Sequence, residues 1–104
     1  MGAVMPTALR KQAEWFRLFL DSYCVDTYFP TEVEAEMCRI KVSRPEVVCV
    51  VHGCNITAYD QDAGVTYLTL EDENYDGRRL RVSIEVENTI LTIRIVWVER
   101  ADGD

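Results

Sequence analysis

The sequence predicts an α+β fold, an N-terminal helix packed on a curled four- to five-stranded antiparallel β-meander. Three observations predict it. Leu9, Ala13, Phe16, Leu20 and Tyr23 recur at the spacing of one helix face, Leu80 to Glu87 and Leu91 to Trp97 alternate apolar with polar residues, and turn-forming residues separate the apolar segments. A helix with so wide an aromatic stripe must bury it, and the apolar face of a sheet is the available surface.

The helix runs from Thr7 to about Cys24, with Trp15 and Phe19 widening its stripe and Pro6 suiting its first turn. On its other face Arg10 with Glu14 and Arg17 with Asp21 set opposite charges four residues apart, worth about 0.2–0.5 kcal/mol each. Residues Thr31 to Ser43 carry two patterns. Thr31 with Glu34 matches a capping box and Val33, Met37 and Ile40 have helical spacing, whereas Cys38, Ile40 and Val42 alternate; a short helical turn running into a strand from about Met37 accommodates both. The apolar run Val47 to Val51 reads as a central strand with a bulge or kink at Gly53. Asp60 to Gly64 reads as a turn, across which Ile56 and Ala58 pair back toward Leu68 and Thr66.

Register settles the next hairpin. A two-residue Asp76-Gly77 loop would throw Leu70 onto the polar face. A three-residue loop, Tyr75-Asp76-Gly77 with the glycine left-handed, pairs Leu70 with Val82 and Leu68 with Ile84, and sets Glu71 against Arg81 and Glu73 against Arg79. Joining the last two strands through Glu87 and Asn88 places Val86 opposite Thr89, Ile84 opposite Leu91, Val82 opposite Ile93 and Leu80 opposite Ile95, with Trp97 on the same apolar face.

With 104 residues the chain, 1–104, fits a single globular domain. No apolar run approaches the roughly 18–20 residues that span a bilayer, and no basic head precedes an apolar core at the start, so a cytoplasmic protein is expected. Its four cysteines, Cys24, Cys38, Cys49 and Cys54, are then expected as reduced thiols. Eighteen acidic against eleven basic residues give a net charge of −7, and Lys and Arg form no stripe able to follow a phosphate backbone, which argues against direct nucleic-acid binding.

The stretch VVCVVHGCN places the only histidine between two cysteines. In an extended strand His52 and Cys54 share a face and Cys49 points away, so three ligands do not converge, and the cysteine spacing matches no zinc module. Cys54 and His52 form no Cys-His nucleophile on a strand either, because side chains two apart project in parallel and no oxyanion hole lies nearby. Asp60, Asp62 and Glu71 occupy positions one, three and twelve of a calcium-loop frame whose sixth position, a glycine in such loops, is Val65. No phosphate-binding glycine motif occurs, and no cofactor or metal is expected.

The functional expectation is a small acidic, non-catalytic protein that binds a macromolecular partner with a basic surface, in the manner of an inhibitor, an immunity protein or a phage anti-defence protein. Such a partner could be a nucleic-acid-binding protein whose basic surface is occluded. The residues expected to carry binding are Tyr67, Glu71, Asp72, Glu73, Tyr75, Asp76, Arg81, Glu85 and Arg94, an aromatic, acidic and arginine mixture on and around the sheet face turned from the helix. An alternative is a ligand-binding protein or enzyme with a pocket between helix and sheet lined by Tyr23, His52, Cys54 and Trp97. Monomer and homodimer both fit, the latter through an edge strand.

Overall fold

The structure is a computed structural model that describes residues 7–23, 25–73, 77–87 and 91–101. Its order is helix α1 (Thr7–Ser22), strand β1 (Asp26–Tyr28), helices α2 (Thr31–Arg39) and α3 (Arg44–His52), then strands β2 (Ile56–Asp62), β3 (Val65–Glu73), β4 (Arg79–Glu87) and β5 (Thr92–Arg100). The strands form one sheet in the order β1-β5-β4-β3-β2, antiparallel except for the parallel pair β1 and β5. The α+β class and the helix packed on a curled meander are as the sequence predicts.

All three helices contribute to one core. Phe16 and Phe19 of α1, Val33 and Met37 of α2 and Val47, Val50 and Val51 of α3 are buried together with Leu68, Leu70, Leu80, Val82, Ile84, Val86, Ile93, Ile95 and Val98 of the sheet. α1 packs by β2, α2 by β5, and α3 over β3 and β4 at the centre. The segment Val47 to Val51 is therefore the central helix, not a central strand. A short apolar run buried on most sides shows neither period, and here the local start signals decide: Ser43 caps in an extended conformation, Pro45 sits in the first turn and Glu46 follows. Gly53 ends α3 at its C-cap.

Neither does a strand begin at Met37. α2 continues to Arg39, and Lys41, in the left-handed region at φ 59°, turns the chain into α3. The helical spacing of Val33, Met37 and Ile40, all buried, carried the structural information, and the alternation of Cys38, Ile40 and Val42 did not; with Pro30 at the N-cap and no side-chain cap bond, the capping box read at Thr31 and Glu34 does not form.

The β3–β4 hairpin has the predicted register, Leu70 to Val82, Leu68 to Ile84, Glu71 to Arg81 and Glu73 to Arg79, and Gly77 is left-handed at φ 78°. Tyr75 and Asp76 lie outside the described residues. β2 instead pairs Ile56 with Leu70 and Ala58 with Thr69, Thr57 being the extra residue of a bulge. β2 runs on to Asp62, so Asp60 and Gln61 belong to the strand; the turn is only Ala63-Gly64, both at positive φ, a geometry that matches the right-handed twist of the flanking strands.

β5 departs furthest. Val86 pairs with Ile93 and Ile84 with Ile95, four residues beyond the predicted partners. Ser83 then faces Trp97, so Val96 is the extra residue of a second bulge. That bulge reverses the alternation, burying Val98 and turning Trp97, 41 % exposed, to the other side of the sheet. Leu91, expected in the core, is 42 % exposed.

Candidate functional site

Among the described residues no helix lies on the second face of the sheet, and the pairings fix what it presents. One row across it is Asp60, Tyr67, Glu85, Arg94 and Tyr28, contributed by β2, β3, β4, β5 and β1 in that order. Toward the β2–β3 turn the same face carries Asp62, Val65 and Glu87, with Thr92 and Asp26. Toward Gly77 it carries Ala58, Thr69, Ser83 and Trp97, then Glu71, Arg81 and Glu99.

The two ends differ in electrostatics. Near Gly77, Arg79 Nε donates to Glu71 Oε1 at 2.9 Å, Arg81 Nε to Glu71 Oε2 at 3.2 Å and Arg81 Nη1 to Glu99 Oε2 at 2.5 Å. Hydrogen bonding from Arg79 first, and from Arg81, holds the Glu71 carboxyl below its ordinary range, while Glu99 and Glu71 push the Arg81 guanidinium up. At the other end Asp26, Asp60, Asp62, Glu85 and Glu87 form no ion pair among the described residues. The arginine there, Arg94, sits with its guanidinium carbon 5.5 Å from the centroid of the Tyr28 ring instead of bridging to Glu85.

Two hollows indent this face. One of about 190 Å³ is lined by Tyr28, Glu85, Glu87, Thr92 and Arg94. The other, about 170 Å³, lies between Asp60, Tyr67, Thr69, Ser83 and Val96. Tyr28 is 51 % and Tyr67 39 % exposed.

Of the residues expected to bind, Tyr67, Glu71, Arg81, Glu85 and Arg94 share this face, with Glu73 at its margin opposite Arg79. Asp72 does not. It pairs with Leu80, whose side chain is in the core, and its carboxylate lies on the helix side against Gly53, where an added Cβ would stand 2.9 Å from Oδ2. Tyr28, Asp26 and Trp97 belong to the face but were not foreseen there: β1 has three residues and no periodic signal, and the β5 bulge is what turns Trp97.

The residues of the alternative pocket are dispersed. Tyr23 borders a hollow with Trp15, Phe19 and Leu91, Trp97 lies on the opposite side of the sheet, and His52 is exposed. Cys49 and His52 are on a helix, so the strand geometry assumed for them does not apply; three residues apart, they are both exposed. Cys54, at φ 55°, is buried, and burial raises its thiol pKa above the ordinary value. Cys38, Cys49 and Cys54 are free thiols, and no three His, Cys, Asp or Glu side chains among the described residues gather closely enough to hold an ion. Among the described residues no helix is long and apolar enough to cross a membrane. Compared with models of known protein families, with curated proteins and with solved structures, the chain matches none.

Proposed function

We propose that this is a non-catalytic cytoplasmic protein that works by holding a protein partner with a basic surface against the helix-free face of its sheet, as an inhibitor, immunity or phage anti-defence protein does. The observation that supports this reading is the composition of one end of that face. Five carboxylates without ion-pair partners among the described residues stand there against Arg94, beside the exposed rings of Tyr28 and Tyr67. Opposite charge speeds and orients encounter, and aromatic rings supply contact area at low entropic cost.

Parallel captures test the reading. Immobilised wild type, a Tyr67→Ala, Glu85→Arg variant of the open face, and a Leu18→Ser variant of the exposed side of α1 are exposed to lysate of the source cells. A partner retained by wild type and Leu18→Ser, lost from the open-face variant and released by raised salt supports the reading. Equal capture by all three proteins, or no capture at low salt, overturns it.

A further inference from the structure

We infer that the partner contributes an extended segment that pairs antiparallel with β2 and prolongs the sheet, its side chains alternating between basic and apolar. The inference rests on the partner-binding reading and names what the partner inserts. Among the described residues no strand lies beyond β2 in the sheet, and Thr57 to Asp62 are exposed. The two-residue turn at Ala63-Gly64 makes Asp62 and Val65 a hydrogen-bonded pair. The backbone groups of Asp62, Asp60 and Ala58 therefore face β3, and those of Gln61 and Tyr59 face outward. Gln61 shows the want of a neighbouring strand directly: its amide donates to the carboxylate beside it, Asp60 Oδ1, at 2.9 Å. The bulge at Thr57 confines pairing to Ala58 through Asp62. The other edge offers less, since β1 has three residues and the chain turns into α2 at Pro30.

The two sides of β2 dictate the segment's pattern. Residues paired opposite Asp60 and Asp62 project onto the helix-free face, where both carboxylates stand without an ion pair among the described residues. Basic side chains fit there, and a carbonyl of the segment that takes over the Gln61 amide frees Asp60 to meet one of them. Residues opposite Tyr59 and Gln61 project to the helix side, where a hollow of about 240 Å³ opens between Gln12 and Trp15 of α1 and Gln61 and Thr66 of the sheet. Trp15 gives it an indole wall against which an apolar side chain packs. In strand addition main-chain bonds supply affinity and alternating side-chain sites supply specificity. A second copy of the chain fits this edge poorly, because β2 against β2 would crowd the Asp60 and Asp62 carboxylates of two molecules, each of net charge −7.

The test titrates the isotope-labelled protein with a capped heptapeptide alternating valine with lysine, and with two derivatives of it, one N-methylated on its valines and one on its lysines. Amide exchange of Tyr59 and Gln61 is expected to slow about tenfold on binding, with Ala58 and Asp60, already bonded to β3, changing little. Methylating the valines, whose amides face β2, is expected to weaken binding about tenfold, and methylating the lysines, whose amides face away, to leave it within about twofold. Asp60→Asn with Asp62→Asn is expected to weaken the parent peptide about fivefold, the variant's own spectrum reporting whether the fold is intact. Equal binding of both methylated peptides, with shifts centred on Tyr28 and Glu85, overturns strand addition and leaves the open-face reading standing. A protein already dimeric without peptide, its Tyr59 and Gln61 amides protected, overturns it in favour of self-pairing. Absence of shifts along β2 at low salt overturns it as well, whereas the open-face reading stands or falls separately, by the lysate captures.

Discussion

Asp72 and Gly53 offer the sharpest test of where the structure separates packing from binding. Gly53 closes α3 at φ −69° and ψ −19°, a conformation alanine adopts without strain. Replacing glycine there reduces the freedom of the unfolded chain and stabilises by about 0.4–1 kcal/mol where the fold has room. In the wild type there is none, because the new Cβ would lie 2.9 Å from Asp72 Oδ2. The carboxylate must swing away, and Asp72 Oδ1, which accepts from the Glu73 amide at 2.8 Å, gives up a hydrogen bond worth about 0.5–1.5 kcal/mol. Gly53→Ala alone should thus be neutral to destabilising by about 1 kcal/mol, whereas Gly53→Ala in an Asp72→Ala background should stabilise by about 0.4–1 kcal/mol. Urea unfolding of the four proteins of this cycle measures the coupling. A Gly53→Ala effect that is the same in both backgrounds would refute the contact and, with it, the assignment of Asp72 to the helix side.

Gly77→Ala should destabilise by about 1–2 kcal/mol through backbone strain, since φ is 78° and, chain neighbours aside, no atom of the described residues lies within 4 Å of the added methyl; Gly77→Asn should cost less in the same unfolding assay. Glu71 has its carboxyl pKa lowered in the folded state, so its contribution is present above the ordinary value of 4.5 and is lost as pH falls through the folded value; Glu71→Gln should lose less stability than wild type across that acid range, and identical acid profiles would contradict the Arg79 and Arg81 bonds. In a Cys24→Ser background a thiol reagent should label Cys38 and Cys49 on mixing and Cys54 only at the rate of unfolding. Glu85→Thr should raise stability by about 0.3 kcal/mol in the same unfolding assay, as a β-branched residue replaces a poor strand former.

The parts of the fold legible in the sequence are those where two independent constraints meet. At the β3–β4 hairpin the aliphatic faces and the Glu71–Arg81 and Glu73–Arg79 pairs agree on one register, and Gly77 supplies the turn. At the β4–β5 hairpin the aliphatic pattern stands alone. A strand repeats every two residues, so the predicted pairing of Ile84 with Leu91 and the observed pairing with Ile95, four residues on, place the same side chains on the same face; alternation cannot choose between them. The shift of Ile56 from Leu68 to Leu70 is the same failure by two residues. α3 was hidden for the opposite reason. With Val47, Val50 and Val51 buried and Val48 partly so, its sequence lacks the polar face that betrays a helix, and only Ser43, Pro45 and Glu46 mark its start. The open face inherits these errors: Trp97 was turned outward by a bulge and Tyr28 delivered by a strand too short to show a period.

The two ends of the open face also differ in what the fold requires of them. Glu71, Arg79, Arg81 and Glu99 interlock three strands, so their charges have a structural account even if each exposed pair adds only about 0–1 kcal/mol. Glu85 and Glu87 have none. Glu85, inside β4, stands opposite Tyr67 and Arg94, and Glu87, the last residue of β4, stands opposite Val65; neither makes an ion pair among the described residues, and glutamate is a poor strand former. Threonine or valine would serve the sheet better at both.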